Sequence, residues 1–360
     1  MKFLDLFAGI GGFRLGMESA GHECIGFCEI DKFARASYKA IHDTKGEIEL
    51  HDITRVTDES IRRIGRVDAI CGGFPCQAFS IAGNRRGFED TRGTLFFEIA
   101  RFASILRPQY LFLENVKGLL NHENGITFET IISTLDELGY DVEWQVLNSK
   151  DFGVPQNRER VFIIGHFRGE CTRRIFPLSG QSQSISNKSV VKIGNVNPSG
   201  NGMNGEVYQA DGLAPTLTTN KGEGQKIAIK SNTIKQFGVL QPNFNQCGVV
   251  YETDGIAPTI RAYQGGGLEP KIIQRGHGYN QGGVHEIAPT LTSNSYHENN
   301  HLSFGYRIRK LTPRECWRLQ GFPDWAFDKA QEVNSNSQLY KQAGNSVTVS
   351  VIAAIAKELQ

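Results

Sequence analysis

An α/β fold built on a parallel, doubly wound sheet follows from three features of the first 175 residues. Short apolar runs alternate with amphipathic segments, the runs are punctuated by glycine, proline or acids, and the spacing suits repeated βα units. The predicted elements fall in order. Phe3–Phe7 is a strand and Gly12–Ala20 a helix; Cys24–Cys28 is the second strand and Lys32–His42 the second helix. Val67–Cys71 and Tyr110–Glu114 are further strands, with helical Leu95–Leu106 between them. Ile126–Leu138 reads as helix and Val161–Gly165 as strand, and a last helix over Val347–Leu359 is expected to pack back on the first domain.

A chain of 360 residues can bury a sizeable core and is usually more than one domain. Its 39 Lys+Arg against 38 Asp+Glu exclude a globally basic coat but not a local basic cleft. From Arg261 to Arg318 eight Lys/Arg face four Glu, modest support for a polyanionic partner. Seven cysteines occur without a Cys-x-x-Cys pair, and Cys24 and Cys28 have no second pair to complete a zinc site, so no metal is expected. Free thiols suit a reducing cytosol. Met1–Asp5 enters a strand at once and no apolar run approaches the roughly 20 residues of a membrane helix, so a cytoplasmic protein is expected.

The character changes near Ser179. Gly180–Ser189 is polar and reads as a linker, and 17 of the 40 glycines lie between Gly194 and Gly283, which argues against helices there. This block carries a repeat. Val207–Leu217 (Val-Tyr-Gln-Ala-Asp-Gly-Leu-Ala-Pro-Thr-Leu) matches Val250–Ile260 (Val-Tyr-Glu-Thr-Asp-Gly-Ile-Ala-Pro-Thr-Ile), and Val284–Leu291 is a shortened third copy. A small β-rich domain over 190–306 is expected. The main domain is then discontinuous, 1–178 plus 324–360, with 307–323 as a hinge segment.

The chemistry is concentrated at strand ends. Gly72-Gly73-Phe74-Pro75-Cys76-Gln77 follows one strand, and Glu114 ends its expected neighbour in an acid where an apolar residue would be ordinary. Ligands in open α/β sheets sit outside the carboxyl ends of the strands, so a thiol and a carboxyl group would meet over one small molecule or base. Asp5–Gly12 opens the first helix with Gly9 and Gly11, but Arg14 stands where a dinucleotide fingerprint wants glycine. Glu29, at the end of strand two, is placed for ribose hydroxyls, and Asp52 in His51-Asp52-Ile53 for an adenine amino group. A nucleoside cofactor without a pyrophosphate fits this set better than a nicotinamide dinucleotide.

Asp5–Gly12, Gly73–Gln77, Glu114-Asn115-Val116, Gln156-Asn157-Arg158-Glu159-Arg160, Leu311–Cys316 with Gln320–Pro323, and Gly344-Asn345-Ser346 together resemble the ordered motifs of DNA (cytosine-5)-methyltransferases. The resemblance covers 1–175 and 305–360 and leaves the glycine-rich block as the expected target-recognition region. It implies a Rossmann-like domain binding S-adenosylmethionine, duplex DNA as substrate, and a flipped-out cytosine. It also implies that Cys76 is the nucleophile attacking C6, that Glu114 serves N3, and that Arg160 and Arg158 contact the exocyclic oxygen. Phe7, Gly9, Gly11, Glu29, Asp52, Ile53, Pro75, Leu95 and Asn345 would line the cofactor pocket, with Phe7 stacked on adenine. Ile30 departs from the pattern, which commonly has tryptophan there. Gln77, Ser80, Arg85, Arg86 and Arg92 are expected to face DNA from a loop over 78–93, and a solvated surface loop is the competing view. For Phe7 and Leu95 the competing reading is plain core packing, and for Arg158 and Arg160 a solvated charged turn.

A restriction–modification methylase with a cognate endonuclease, or a solitary phage enzyme, acting as a monomer, is the leading reading. A same-family RNA methyltransferase and a catalytically silent DNA-binding regulator are the alternatives, with a nicotinamide dehydrogenase remote. The repeats are open between several recognition elements and one reading copy on a duplicated scaffold.

Overall fold

A computed structural model describes residues 1–75, 95–170, 172–180, 189–196, 205–217, 225–230, 236–239, 249–251, 272–274, 283–285, 300–301 and 306–359. The strands of the first part are β1 (Lys2–Leu6), β2 (Glu23–Cys28), β3 (Ile48–Leu50), β4 (Ala69–Gly73), β5 (Tyr110–Val116), β6 (Tyr140–Asn148) and β7 (Glu159–Phe167). They form one sheet in the order β3-β2-β1-β4-β5-β7-β6. Parallel pairing runs from β3 to β5, as the alternating pattern predicts. Beyond β5 the expectation changes: β7 is antiparallel to both β5 and β6. A turn of 3₁₀ helix over Ser149–Phe152 and a short connection return the chain from β6 to β7, so no crossover helix is available to make that pair parallel.

The sheet is covered on both faces. Side chains alternate, so Leu4, Leu6, Ile70, Leu111, Leu113, Val161 and Ile163 join one core beneath α4 (Leu95–Leu106) and α5 (Ile126–Glu137). Phe3, Cys71, Tyr110, Phe112 and Ile164 join the other, against α1 (Gly12–Ser19) and a helix from the far end of the chain. The remaining helices are α2 (Lys32–Ile41), α3 (Asp58–Ile64), α6 (Pro313–Leu319), α7 (Asp324–Val333), α8 (Asn336–Asn345) and α9 (Val349–Ala356). Val351, Ile352, Ile355 and Ala356 of α9 are fully buried beside Phe13 and Met17 of α1.

The chain forms two compact units: 1–191 with 212–224 and 311–360, and 192–211 with 225–310. The bounds lie elsewhere than the sequence suggests. Segment 307–323, expected as a hinge, contributes α6 to the first unit, with a capping box at Thr312 and a fully buried Trp317 whose indole donates to the Leu339 carbonyl at 3.0 Å. Residues 212–224, expected in the second domain, cluster with the first.

The second unit is β-rich. Strands β8 (Lys192–Asn195), β9 (Glu206–Gln209), β10 (Lys226–Lys230) and β16 (Tyr306–Lys310) make one sheet, and β11 (Gln236–Val239) with β12 (Val249–Tyr251) another. A third holds β13 (Ile272–Gln274), β14 (Gly283–His285) and β15 (Asn300–His301). Each repeat copy opens in the second strand of an antiparallel pair: Lys192↔Tyr208, Gln236↔Tyr251 and Ile272↔His285 are equivalent partners. The copies are therefore longer than the sequence match reveals. The extra length is hidden because the leading strands share backbone pairing rather than residue identity.

Candidate active site

The carboxyl ends of β1, β2, β4 and β5 meet at one edge, around the switch point between β1 and β4 where strand order reverses. After β1 the chain turns sharply. Phe7, Gly9 and Gly11 have φ of 55°, 56° and 84°, and only the glycines take this left-handed backbone without strain. Gly11 has a second reason to lack a side chain: a Cβ there would lie inside the buried imidazole of His42. At Gly9 the same position meets no atom of the described residues within 4 Å, so the loop borders open space among them.

Glu29 fixes this loop. Its Oε2 accepts the Gly9 N–H at 2.8 Å and its Oε1 the Asp31 N–H at 2.7 Å. Burial raises its pKa while those two amides oppose the rise. Beside it Ile30 is 66% exposed, a large apolar side chain at the mouth of the edge. Phe7 and Leu95 are half-buried and pack on the first core cluster, and Pro75 is exposed at the end of β4.

Asp52 and Ile53 are engaged locally. The Asp52 Oδ1 accepts from the Thr54 amide at 3.1 Å and hydroxyl at 2.7 Å, capping a short 3₁₀ turn and lowering its pKa. The Ile53 side chain is in the core and its carbonyl accepts from Arg101 at 3.1 Å. Asn345 is exposed at the last position of α8.

The carboxyl group of Glu114 sits on buried β5, opposite Gly73 of β4. Its Oε1 lies 3.0 Å from Nε of Arg160, which β7 supplies opposite Val116. Burial pushes the Glu114 pKa up, while Arg160 and Arg158 pull it down. The net direction is upward because a buried carboxylate has lost more hydration than one well-placed cation restores. A Cβ at Gly73 would stand 2.9 Å from Glu114 Oε2, so that glycine makes room for the carboxyl group. Asn115 clamps the two strand ends, donating from Nδ2 to the Phe74 carbonyl at 2.9 Å. Its role escapes a reading by residue chemistry; the signal available is an amide inside an apolar strand.

Arg158, expected beside the base with Arg160, points elsewhere. It is 3% exposed, and its guanidinium donates to the carbonyls of Ser346 at 2.8 Å, Gly344 at 3.2 Å and Leu217 at 3.4 Å. Alternate residues of a strand face the same side, but the forks of the two arginines diverge: one meets a carboxylate and the other a ring of backbone oxygens. Burial and Arg160 lower its pKa to about 9, which leaves it cationic at neutral pH. Cys76, Gln77, Ser80, Arg85, Arg86 and Arg92 lie outside the described residues. Among the described residues no group of three His, Cys, Asp or Glu is arranged to hold a metal, and no helix is long and apolar enough to cross a membrane.

The family model for C-5 cytosine-specific DNA methylases matches residues 1–360. The chain belongs to that family. This methylase is 36% identical to the orphan methyltransferase M.SPRI of Bacillus phage SPR over 443 aligned positions, covering 100% of this chain and 97% of the relative. It is also 36% identical to the type II methyltransferase M.HhaI of Haemophilus parahaemolyticus, over 99% of this chain and 93% of the other. Among solved structures the Dnmt2 methyltransferase of S. pombe shares the fold, with a TM-score of 0.59 at 18% identity over 98% of this chain and 96% of that one. The family and fold imply S-adenosylmethionine as the cofactor. The open space at Gly9, the anchored Glu29 and the uncovered Ile30 fit a nucleoside at this edge.

Proposed function

We propose that this methylase modifies C5 of a flipped-out cytosine at defined sequences in duplex DNA through a covalent adduct with Cys76. The observation that carries the reading is the buried Glu114–Arg160 pair at the end of β5, beside the strand that leads through Pro75 into Cys76.

Cytosine C5 is a poor nucleophile until the ring is activated. The Cys76 thiolate adds to C6, forming an S–C6 bond, and the ring electrons move toward N3 and the exocyclic oxygen. Glu114 delivers its proton to N3 and Arg160 faces the oxygen, so the charge developed by addition is offset where it appears. The raised pKa of Glu114 keeps that proton available to higher pH than an ordinary glutamate would. S-adenosylmethionine would be held by Phe7, Gly9, Gly11, Glu29, Asp52, Pro75, Leu95 and Asn345, and would supply an electrophilic methyl group there. A base then takes the C5 proton, the Cys76 thiolate leaves from C6, and N3 returns its proton to Glu114. Base extrusion is required because C5 and C6 are unreachable in a stacked duplex.

The first unit is the catalytic domain and the glycine-rich second unit the reader of DNA. Named relatives include orphan phage and type II enzymes, so the chain is either a solitary methylase or one half of a restriction–modification pair acting as a cytoplasmic monomer. Mixed-sequence duplex DNA treated with enzyme and cofactor and read by bisulfite conversion tests this. Wild type protects cytosines in defined contexts; Cys76→Ser protects none, and Glu114→Gln slows transfer on the order of 10²-fold or more. Protection by Cys76→Ser equal to wild type, or transfer to tRNA alone, defeats the reading.

A further inference from the structure

The corner between β2 and α2 carries Glu29, and little apolar packing holds its outer side. It lies at the margin of the sheet, where only the short β3 stands outside β2. Ile30 and Phe33 are both exposed there. Polar contacts take over. Arg35 reaches back from α2, its Nη1 donating to the carbonyls of Glu29 at 2.7 Å and Ile30 at 2.8 Å. Asp31 caps the helix, its Oδ1 accepting the Phe33 N–H at 2.8 Å and the Ala34 N–H at 3.3 Å. The Asp31 N–H is itself one of the two amides that orient the Glu29 carboxylate.

From the far end of the chain, α8 grips this corner. Lys341 Nζ donates to Asp31 Oδ2 at 2.7 Å. Burial pushes the Asp31 pKa up, but the Lys341 ammonium and the two helix amides outweigh it and hold the carboxyl below its ordinary value. Gln342 is 5% exposed and engages both ends of its amide with α2. Its Oε1 accepts the Ser37 hydroxyl at 3.0 Å, and its Nε2 donates to the Phe33 carbonyl at 3.1 Å. Asn334, just ahead of α8, donates to the same carbonyl and to the Ser37 hydroxyl, each at 2.8 Å. The Gln342 carbonyl also accepts the Ser346 N–H at 3.0 Å, closing α8 beside Asn345. One helix end thus joins the Glu29 corner to the segment that holds Asn345.

We propose that Gln342 and Lys341 are positioning residues of the cofactor edge: they latch α8 to the first turns of α2 and so fix where the Glu29 carboxylate stands. A carboxylate has about four acceptor sites, and the Gly9 and Asp31 amides take one on each oxygen of Glu29. Among the described residues this leaves one site on each oxygen, the arrangement that suits a vicinal pair of hydroxyls. Holding a diol by both oxygens needs the carboxylate correctly placed as well as present, because a shift of about 1 Å breaks the pairing. Gln342 and Lys341 act through α2 and the Asp31 backbone rather than on the nucleoside. The latch rests on the cofactor reading given above.

The test isolates the diol contact. The full chain is titrated calorimetrically with S-adenosyl-L-homocysteine and with its 2′,3′-dideoxy counterpart, and the ratio of the two affinities reports what Glu29 contributes. Glu29→Gln is expected to lower that ratio more than any other change. Gln342→Met, close in volume but unable to donate to α2, is expected to lower it about fivefold. Lys341→Met lowers it about twofold, as suits a half-exposed ion pair, and Lys341→Arg keeps it near the wild-type value. General loosening of the fold weakens both ligands alike and leaves the ratio unchanged. Should Gln342→Met fail to fold, the half-exposed Lys341→Met decides. Absence of binding to wild type, or a ratio that Glu29→Gln leaves unchanged, defeats the cofactor reading itself. A ratio that responds to Glu29→Gln but is unmoved by Gln342→Met and Lys341→Met overturns the latch alone.

Discussion

Arg158 and Arg160 stand two residues apart in one motif, and their identities alone assign them one task. The structure separates them because a guanidinium five bonds from its backbone reaches different partners from adjacent sites. Which oxygen each fork meets depends on where 217 and 344–346 return, and no local pattern carries that. Lysine at 158 keeps the charge but not the fork, so Arg158→Lys is expected to lose about 1–2 kcal/mol, read from the urea midpoint, and to weaken cofactor binding through Asn345. Asp5 makes a second prediction. It is fully buried on β1 near the Tyr38 hydroxyl at 3.4 Å, and burial raises its pKa from 3.8 to about 8. The folded protein thus holds a proton that the unfolded chain releases above pH 3.8, and stability falls as pH rises between those values. Asp5→Asn removes that proton exchange; thermal unfolding at pH 5 to 8 should show a flatter pH slope than wild type.

Most elements were legible as elements. Helix Leu95–Leu106 begins and ends where its apolar pattern does, and β1, β2 and β5 follow their apolar runs within a residue or two. β6 was not legible: Tyr140–Asn148 alternates apolar and polar side chains and is only half-buried, so it lacks the continuous apolar signature of its neighbours. α3 escaped for shortness. Of the site, the Glu29 and Glu114 positions were readable as acids closing apolar strands. The clearance at Gly73 was not, since it depends on the register between β4 and β5. Gly73→Ala is expected to displace the Glu114 carboxyl group and lower kcat about tenfold or more at little cost in melting temperature. An equal loss of both would mean that the strand, not the carboxyl group, had been disturbed.

At the scale of the molecule, the sheet is completed by chain from both sides of the second unit. α9 lays Val351, Ile352, Ile355 and Ala356 against α1 and the sheet. At about 1.5–3 kcal/mol for each large aliphatic side chain, its burial contributes about 5 kcal/mol or more, comparable with the net stability of a whole domain. A chain stopped after Thr348 is expected to fail to fold cooperatively, seen as loss of a thermal transition in circular dichroism. Glycine content and the repeats mark a change of character within the stretch that holds most of the second compact unit. The exact seams were not readable, because 212–217 looks like the rest of its repeat and is distinguished only by what it touches.

That late helix has a consequence for how the protein is born. A ribosome must translate the whole of 192–310 before it reaches α9, so the aromatic face formed by Phe3, Phe13 and Phe112 waits uncovered while the inserted unit is made. A nascent chain interrupted after Cys76 but before that point carries the proposed nucleophile yet lacks a closed scaffold to aim it. On the function proposed above, translation order acts as a safeguard, because chemistry is completed only after the proposed reader has been made.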